Sequence, residues 1–392
     1  MTSINFKLKN IKYLTFIFLF LILSINFLTS VSQGMVGNED KETQLLSPND
    51  DFNLISLQGN MPIFIHKDTV FLYSHWDACV LTVDISDIDN PGEPNSIITN
   101  SSYYVRGFNI YEDYLITDAG ANLLVYDISN PNTIGDPIHI INEEETYGFD
   151  IGEMCFENNI AYISSYNIPL YEIYIVDFTD FPDIVSINNV EVDYLIDELY
   201  FEDGYLYFST DEFNYSGFID LTDPQNPGEP IYIFNATVDF TMDIMKYDDF
   251  LYVSTNNNEY PQSGYLSVID ISDKNNPSEI KTIETVSSTT FHMTIYEETL
   301  YIGLDDFGVI IFDISDPSNP IEAGRTSFNT GNLDVYDLAV FNDYLFMSAA
   351  SGLGIISLNK IGFYTRTASL SPLVIILGLL ITTIYSSTRK RK

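Results

Sequence analysis

The sequence predicts an all-β chain closed into a seven-bladed β-propeller of four-stranded blades, and three observations predict it. The phrase Asp-Ile-Ser-Asp-x-x-Asn-Pro stands at 84–91, 220–227, 270–277 and 313–320, with shortened copies at Asp127 and Asp177. Each copy follows a short apolar strand, and these strands begin at Val70, Tyr114, Ile160, Tyr205, Phe250, Leu300 and Tyr344, so units recur every 44 to 50 residues. The body has no run of apolar residues at the 3.6-residue period of a helix. A four-stranded antiparallel unit at this period is a propeller blade, whereas a solenoid repeat is shorter and an array of sandwiches longer.

Residues 291–325 give the order of elements within one unit. An apolar strand at 291–296 closes on the turn Glu297-Glu298-Thr299, and a second strand starts at Leu300. Asp305, Asp306, Phe307 and Gly308 turn the chain into a third strand at 309–312, and the aspartate phrase then carries it to a fourth near Ile321. Runs of Val, Ile, Tyr and Phe split by Gly, Asn, Asp and Pro are strand-and-turn chemistry. The 27 Phe and 28 Tyr supply the bulk that packs blade on blade.

The aspartate phrase has a structural task. A carboxylate at the end of the third strand can accept from backbone N–H groups just ahead, and the proline keeps the loop out of a ladder. Asp84, Asp127, Asp177, Asp220, Asp270 and Asp313 are therefore structural turn residues. Only the first copy, with Asp84, Asp87 and Asp89, has enough carboxylates to suggest a metal, and that metal would be calcium.

The segments LTVDISDIDNP, LLVYDISNP, IYIVDFTDFP, GFIDLTDPQNP, LSVIDISDKNNP and VIIFDISDPSNP resemble the LVIVD-repeat family over about residues 60–360. The resemblance implies a propeller on a prokaryotic cell surface, and it carries over no catalytic residue. The seventh unit departs from it, because LGIISLNK at 353–360 has neither the Asp nor the Pro. Either 52–57 or 361–365 is expected to complete that last blade.

The ends read as targeting segments. Lys7, Lys9 and Lys12, an apolar run at 13–28 and Ser30-Val31-Ser32 make 1–32 a secretory signal peptide, followed by a polar linker at 33–51. The propeller is assigned to 52–360 and a second linker to 361–369. Residues 370–392 are mostly apolar and end on Arg389-Lys390-Arg391-Lys392, as a transmembrane anchor with a short cytoplasmic basic tail or a sorting signal would. The propeller is thus expected outside the cell membrane, at the cell surface.

Neither end contains an acid, so the body between 33 and 368 holds all 56 acids against 9 bases. This excludes nucleic acid, whose phosphates need a positive surface, and it favours cations or basic partners. Cys79 and Cys155 are too few for a disulfide framework. Asn100, Asn214 and Asn235 open glycosylation sequons.

No hydrolase elbow, zincin helix, phosphate loop or paired-cysteine motif is present. His66 and His75 fall in one unit, and His139 and His292 stand alone. Seven residues before each second strand lie Ile63, Gly107, Glu153, Glu198, Asp243, Met293 and Asp337, so four units place a carboxylate at one register of the innermost strand. Glu153, Glu198, Asp243 and Asp337 are the candidate ligand-binding residues at the channel mouth. The long turns at 165–171 and 256–263 mix Tyr with Asn and Ser, which suits a glycan or protein partner. Three functions are compatible with these features: a monomeric binding or adhesion module, a hydrolase or lyase acting at the channel mouth on a cationic or metal-bridged substrate, and a structural surface protein.

Overall fold

The computed structural model describes residues 44–46, 52–55 and, within 62–360, all but some of the loops between strands. The chain divides into two compact units, Met1–Thr43 and Gln44–Lys392, and every described residue belongs to the second. Both predicted targeting segments, His75 and the three sequon asparagines lie outside the described residues. Among those described, no helix is long and apolar enough to cross a membrane.

Among the described residues, the apolar runs of the repeat units become strands, and the strands form seven sheets that are antiparallel but for one added strand. The innermost strands are Ile63–His66, Phe108–Tyr111, Ile151–Glu157, Ile196–Glu202, Phe240–Tyr247, Thr290–Tyr296 and Val335–Phe341. Each contacts the next and the last returns to the first, so the ring is closed. In blades 1 to 6 the four strands follow one another outward in chain order.

Blade 7 is completed by Phe52–Ile55, which pairs antiparallel with Gly352–Ser357 from Phe52 opposite Ile356 to Ile55 opposite Leu353. The N-terminal candidate therefore supplies the closing strand, and 361–365 lies outside the described residues. Gln44–Leu46, within the segment read as a polar linker, pairs in parallel with Thr326–Phe328 of blade 6 and gives that blade a fifth strand.

The core is seven separate apolar clusters, each filling the interface between two neighbouring blades. The third residue of each second strand anchors them: Phe71, Ile116, Tyr162, Tyr207, Tyr252, Tyr301 and Phe346 are all almost completely buried. A buried ring removes about 150–250 Å² from water, which explains where the aromatic content goes.

The aspartate phrase behaves as expected. Oδ1 of Asp84, Asp127, Asp177, Asp220, Asp270 and Asp313 accepts the backbone N–H of the Ser or Thr two residues on, at 2.8–3.0 Å. The residue just after each aspartate donates its N–H to a hairpin carbonyl between the first two strands, as Ile85 does to Asp68 and Ile314 to Glu298. Leu358 makes the same bond to Asp343, so the seventh blade keeps this tie without the aspartate.

Those hairpins are tight two-residue turns, and the first turn residue has a left-handed φ of 49–53° in every blade: Lys67, Glu112, Asn158, Asp203, Asp248, Glu297 and Asn342. A primed turn matches the twist of the strands it joins and requires this conformation.

Candidate functional site

The hairpins also correct the sequence register. Thr69 and Thr299 are the first residues of their second strands, opposite His66 and Tyr296, so Val70 and Leu300 are second. Counting back from the true starts replaces Ile63 with Pro62 and Met293 with His292. The inner ring position is therefore held by Pro62, Gly107, Glu153, Glu198, Asp243, His292 and Asp337, of which Gly107 lies outside the described residues. A one-residue slip exchanges the two faces of a strand, and the sequence reading missed His292 for that reason.

The pairing of the innermost strands in blades 3 to 7 shifts beside this position, between Ile196 and Glu198, Thr241 and Asp243, and Val335 and Asp337 in blades 4, 5 and 7. Similar shifts fall between Ile151 and Met154 and between Thr290 and Met293. A bulge bends a strand and re-aims its side chains. Here it serves to turn five successive polar side chains, Glu153 through Asp337, to one register.

The two aspartates act as pins between blades. Asp243 Oδ1 accepts the N–H of its neighbour Ile244 at 2.6 Å, and Oδ2 accepts that of Met293 in blade 6, also at 2.6 Å. Asp337 repeats this with Leu338 and with Ile63 of blade 1, both at 2.7 Å, and so ties the last blade to the first. The two residues displaced from the ring by the corrected register, Ile63 and Met293, are those whose N–H groups the pins take.

Glu198 is placed differently. Its Oε1 lies 3.4 Å from Nδ1 of His292, and the two side chains keep 27 % and 22 % of their surface exposed. Burial first, and then the charges of Glu153, Asp243, Asp197 and Asp337, push its carboxyl well above the usual carboxylate range. Asp243, only 8 % exposed, is raised to about 6 by burial, against the pull of His292 and its two N–H donors. Asp337 is raised for the same reason. Glu198 keeps open surface and yet carries a buried group's penalty because protein and like charges surround it on every side of the channel.

Serines face the ring acids across the sheet: Ser209 pairs with Glu198, Ser254 with Asp243 and Ser348 with Asp337. Ser254 Oγ donates to the carbonyl of Phe291 in the next blade at 2.9 Å. Ser164 Oγ in blade 3 donates to Glu153's carbonyl at 3.3 Å. Ser209 is fully buried, and its hydroxyl has no partner.

The other candidates are not gathered into sites. Among the described residues, no group of three or more His, Cys, Asp or Glu side chains is placed to hold a metal ion. Asp84 is engaged by the Ser86 N–H, and Asp87 Oδ2 accepts from Asn90 Nδ2 at 3.2 Å, so these two carboxylates, with Asp89 in the same turn, hold the turn's own donors. His66 bonds Asp113 in the next blade's hairpin at 2.9 Å, and His139 packs edge-on to Phe181. Neither Cys79 nor Cys155 is in a disulfide, and burial pushes the thiol of Cys155 up.

The LVIVD repeat model matches residues 104–135, 240–285 and 291–328, which fall in blades 2, 5 and 6. No curated protein matches the sequence. Among solved structures, a hypothetical selenium-binding protein from Sulfolobus tokodaii aligns over 78 % of this chain and 86 % of its own, with TM-score 0.57 and 13 % identity. The WD40 domain of Toxoplasma gondii coronin aligns over 78 % and 82 %, with TM-score 0.56 and 7 % identity. Virginiamycin B lyase from Staphylococcus aureus aligns over 78 % and 98 %, with TM-score 0.54 and 14 % identity. At such identities the likeness is one of fold. The chain is a seven-bladed β-propeller that carries LVIVD repeats.

Proposed function

We propose that the chain is a binding module held at the outer face of a cell membrane, delivered by 1–32, anchored by 370–392, and offering an acidic propeller to a basic extracellular partner. The observation that carries this reading is the shared register: Glu153, Glu198, Asp243 and Asp337 take the same position on four innermost strands, and Glu198 lies 3.4 Å from His292, the one basic side chain at that position. The surplus of acid over base on the body extends the same preference outward, because a field of one sign concentrates ligands of the other.

The test is made on intact cells displaying the full chain with a tag after residue 38, ahead of both N-terminal strands. The tag is expected to be open to external protease, and the cells to be retained on lysozyme-coated surfaces but not on serum-albumin-coated ones, with retention falling as salt rises from 50 to 500 mM. A protected tag refutes the topology. Equal retention on both surfaces refutes the preference for basic partners.

A further inference from the structure

The ring divides into two kinds of acid. Asp243 and Asp337 have each oxygen engaged by a short backbone N–H bond across or within a blade, so their carboxylates are already committed to holding the propeller closed. Glu198 has a histidine at 3.4 Å and an open side toward the channel. Directly across the sheet from it, on the same face, sits the buried Ser209 hydroxyl with no partner. The comparable serines of blades 3 and 5 bond carbonyls of innermost strands, so this position reaches the channel wall. A buried polar group without a partner is costly and marks a place where one is missing.

The ligand class follows from what the site can and cannot hold. Several carboxylates repel one another here, which calls for a cation. Among the described residues no three of them are placed to ligate one metal ion. A cation that reaches them needs length, and it needs N–H donors for an acceptor on each side. An ammonium or guanidinium group at the end of an alkyl chain has both.

We propose that Glu198 and Ser209 bind the head of an organic cation, an alkylammonium or guanidinium group, that enters the channel of the propeller. The head donates to the Glu198 carboxylate and to Ser209 Oγ, displacing His292 as the carboxylate's neighbour, while Glu153, Asp197, Asp243 and Asp337 supply the surrounding negative field. The same chemistry is offered by a free diamine and by a lysine or arginine side chain of a partner protein. This inference deepens the binding reading above and rests on it.

Calorimetry of the purified full-length chain at pH 8 tests the site with three probes: 1,4-diaminobutane, a lysine-rich peptide and calcium chloride. Heat of binding is expected with an amine and not with calcium. If both amines bind, the head alone is recognised; if only the peptide binds, the cation is a partner's side chain. Glu198→Gln is expected to weaken amine binding at least tenfold and Ser209→Ala several-fold. Ser209→Ala should at the same time melt no lower than the parent, because it removes an unpartnered hydroxyl, and so its loss of binding cannot be ascribed to unfolding. Absence of heat with both amines, equal binding by calcium, or unchanged affinity in either variant overturns the proposal. Cell-surface exposure of the Glu198→Gln chain remains as in the parent, so failure here is distinct from failure of the binding-module reading.

Discussion

At the scale of single residues, the same side-chain type has opposite roles according to its place in the blade. A turn aspartate such as Asp313 sits near solvent, and the Ser315 hydroxyl and N–H hold its carboxyl below the usual range. A ring aspartate such as Asp337 is raised by burial and kept in place because it satisfies N–H groups of two blades. Asp337→Ala would leave both donors buried without partners, at about 1–3 kcal/mol each. It is expected to lower stability by about 2–4 kcal/mol in urea titration, and a loss under 0.5 kcal/mol would refute the pin. The hairpin positions carry a strain of the other sign. Glu112 and Glu297 hold φ of 52° in a region that suits Gly or Asn better. Glu297→Asn is expected to raise the melting temperature, by stabilising the turn about 0.5–1 kcal/mol, and an unchanged or lower melt counts against strain there.

At the scale of elements, the blade was legible in sequence because its signals are local. Alternating apolar runs, a fixed aspartate turn and a steady period specify strand, turn and repeat without reference to anything distant, whereas the choice of closing strand between 52–57 and 361–365 is decided by the pairing of Phe52–Ile55 with Gly352–Ser357. The ring residues were legible in part. Glu153, Glu198, Asp243 and Asp337 fall at one register, but Thr69 and Thr299 read as turn because they are polar, and this hid His292 behind Met293. The inter-blade pins join residues 50 and 274 positions apart, so periodicity within one blade cannot reveal them, and the bulges depend on how two strands pair, which the apolar pattern of either strand does not specify. Gly303, opposite the bulged segment of blade 6, is a similar case: a Cβ there would meet the Val335 carbonyl oxygen of blade 7 at 2.5 Å. Strand order also gives the terminal segments unequal weight. Of the described residues, removing 1–47 takes away the added parallel strand of blade 6 alone, whereas removing 1–56 also takes the strand that completes blade 7. The first truncation is expected to keep a single cooperative melt and the second to lose it; a cooperative melt in both would deny the closing role to Phe52–Ile55.

At the scale of the whole molecule, the two classes of aspartate set a pH at which the propeller is most stable. The six turn carboxylates are depressed in the folded chain, so their contribution is present above the unfolded value near 3.9 and is lost as pH falls through it. The ring carboxylates are raised, so the folded chain holds protons there that the unfolded chain has released. Between about pH 4 and 6, for Asp243, the unfolded state binds fewer protons and stability declines as pH rises. Self-repulsion from a net charge of −40 at pH 7 acts in the same direction. The melting temperature is therefore expected to peak between about pH 4 and 5.5 and to fall toward pH 8, where most globular domains are still near their maximum. Glu198→Gln removes the ring's most strongly perturbed charge, so it should match the parent at pH 4.5 and melt higher at pH 8. A parent whose melting temperature climbs steadily to neutrality, or a variant with no advantage at pH 8, would mean that the channel carboxylates are not held together at a cost and that the cations they would attract are not needed to relieve it.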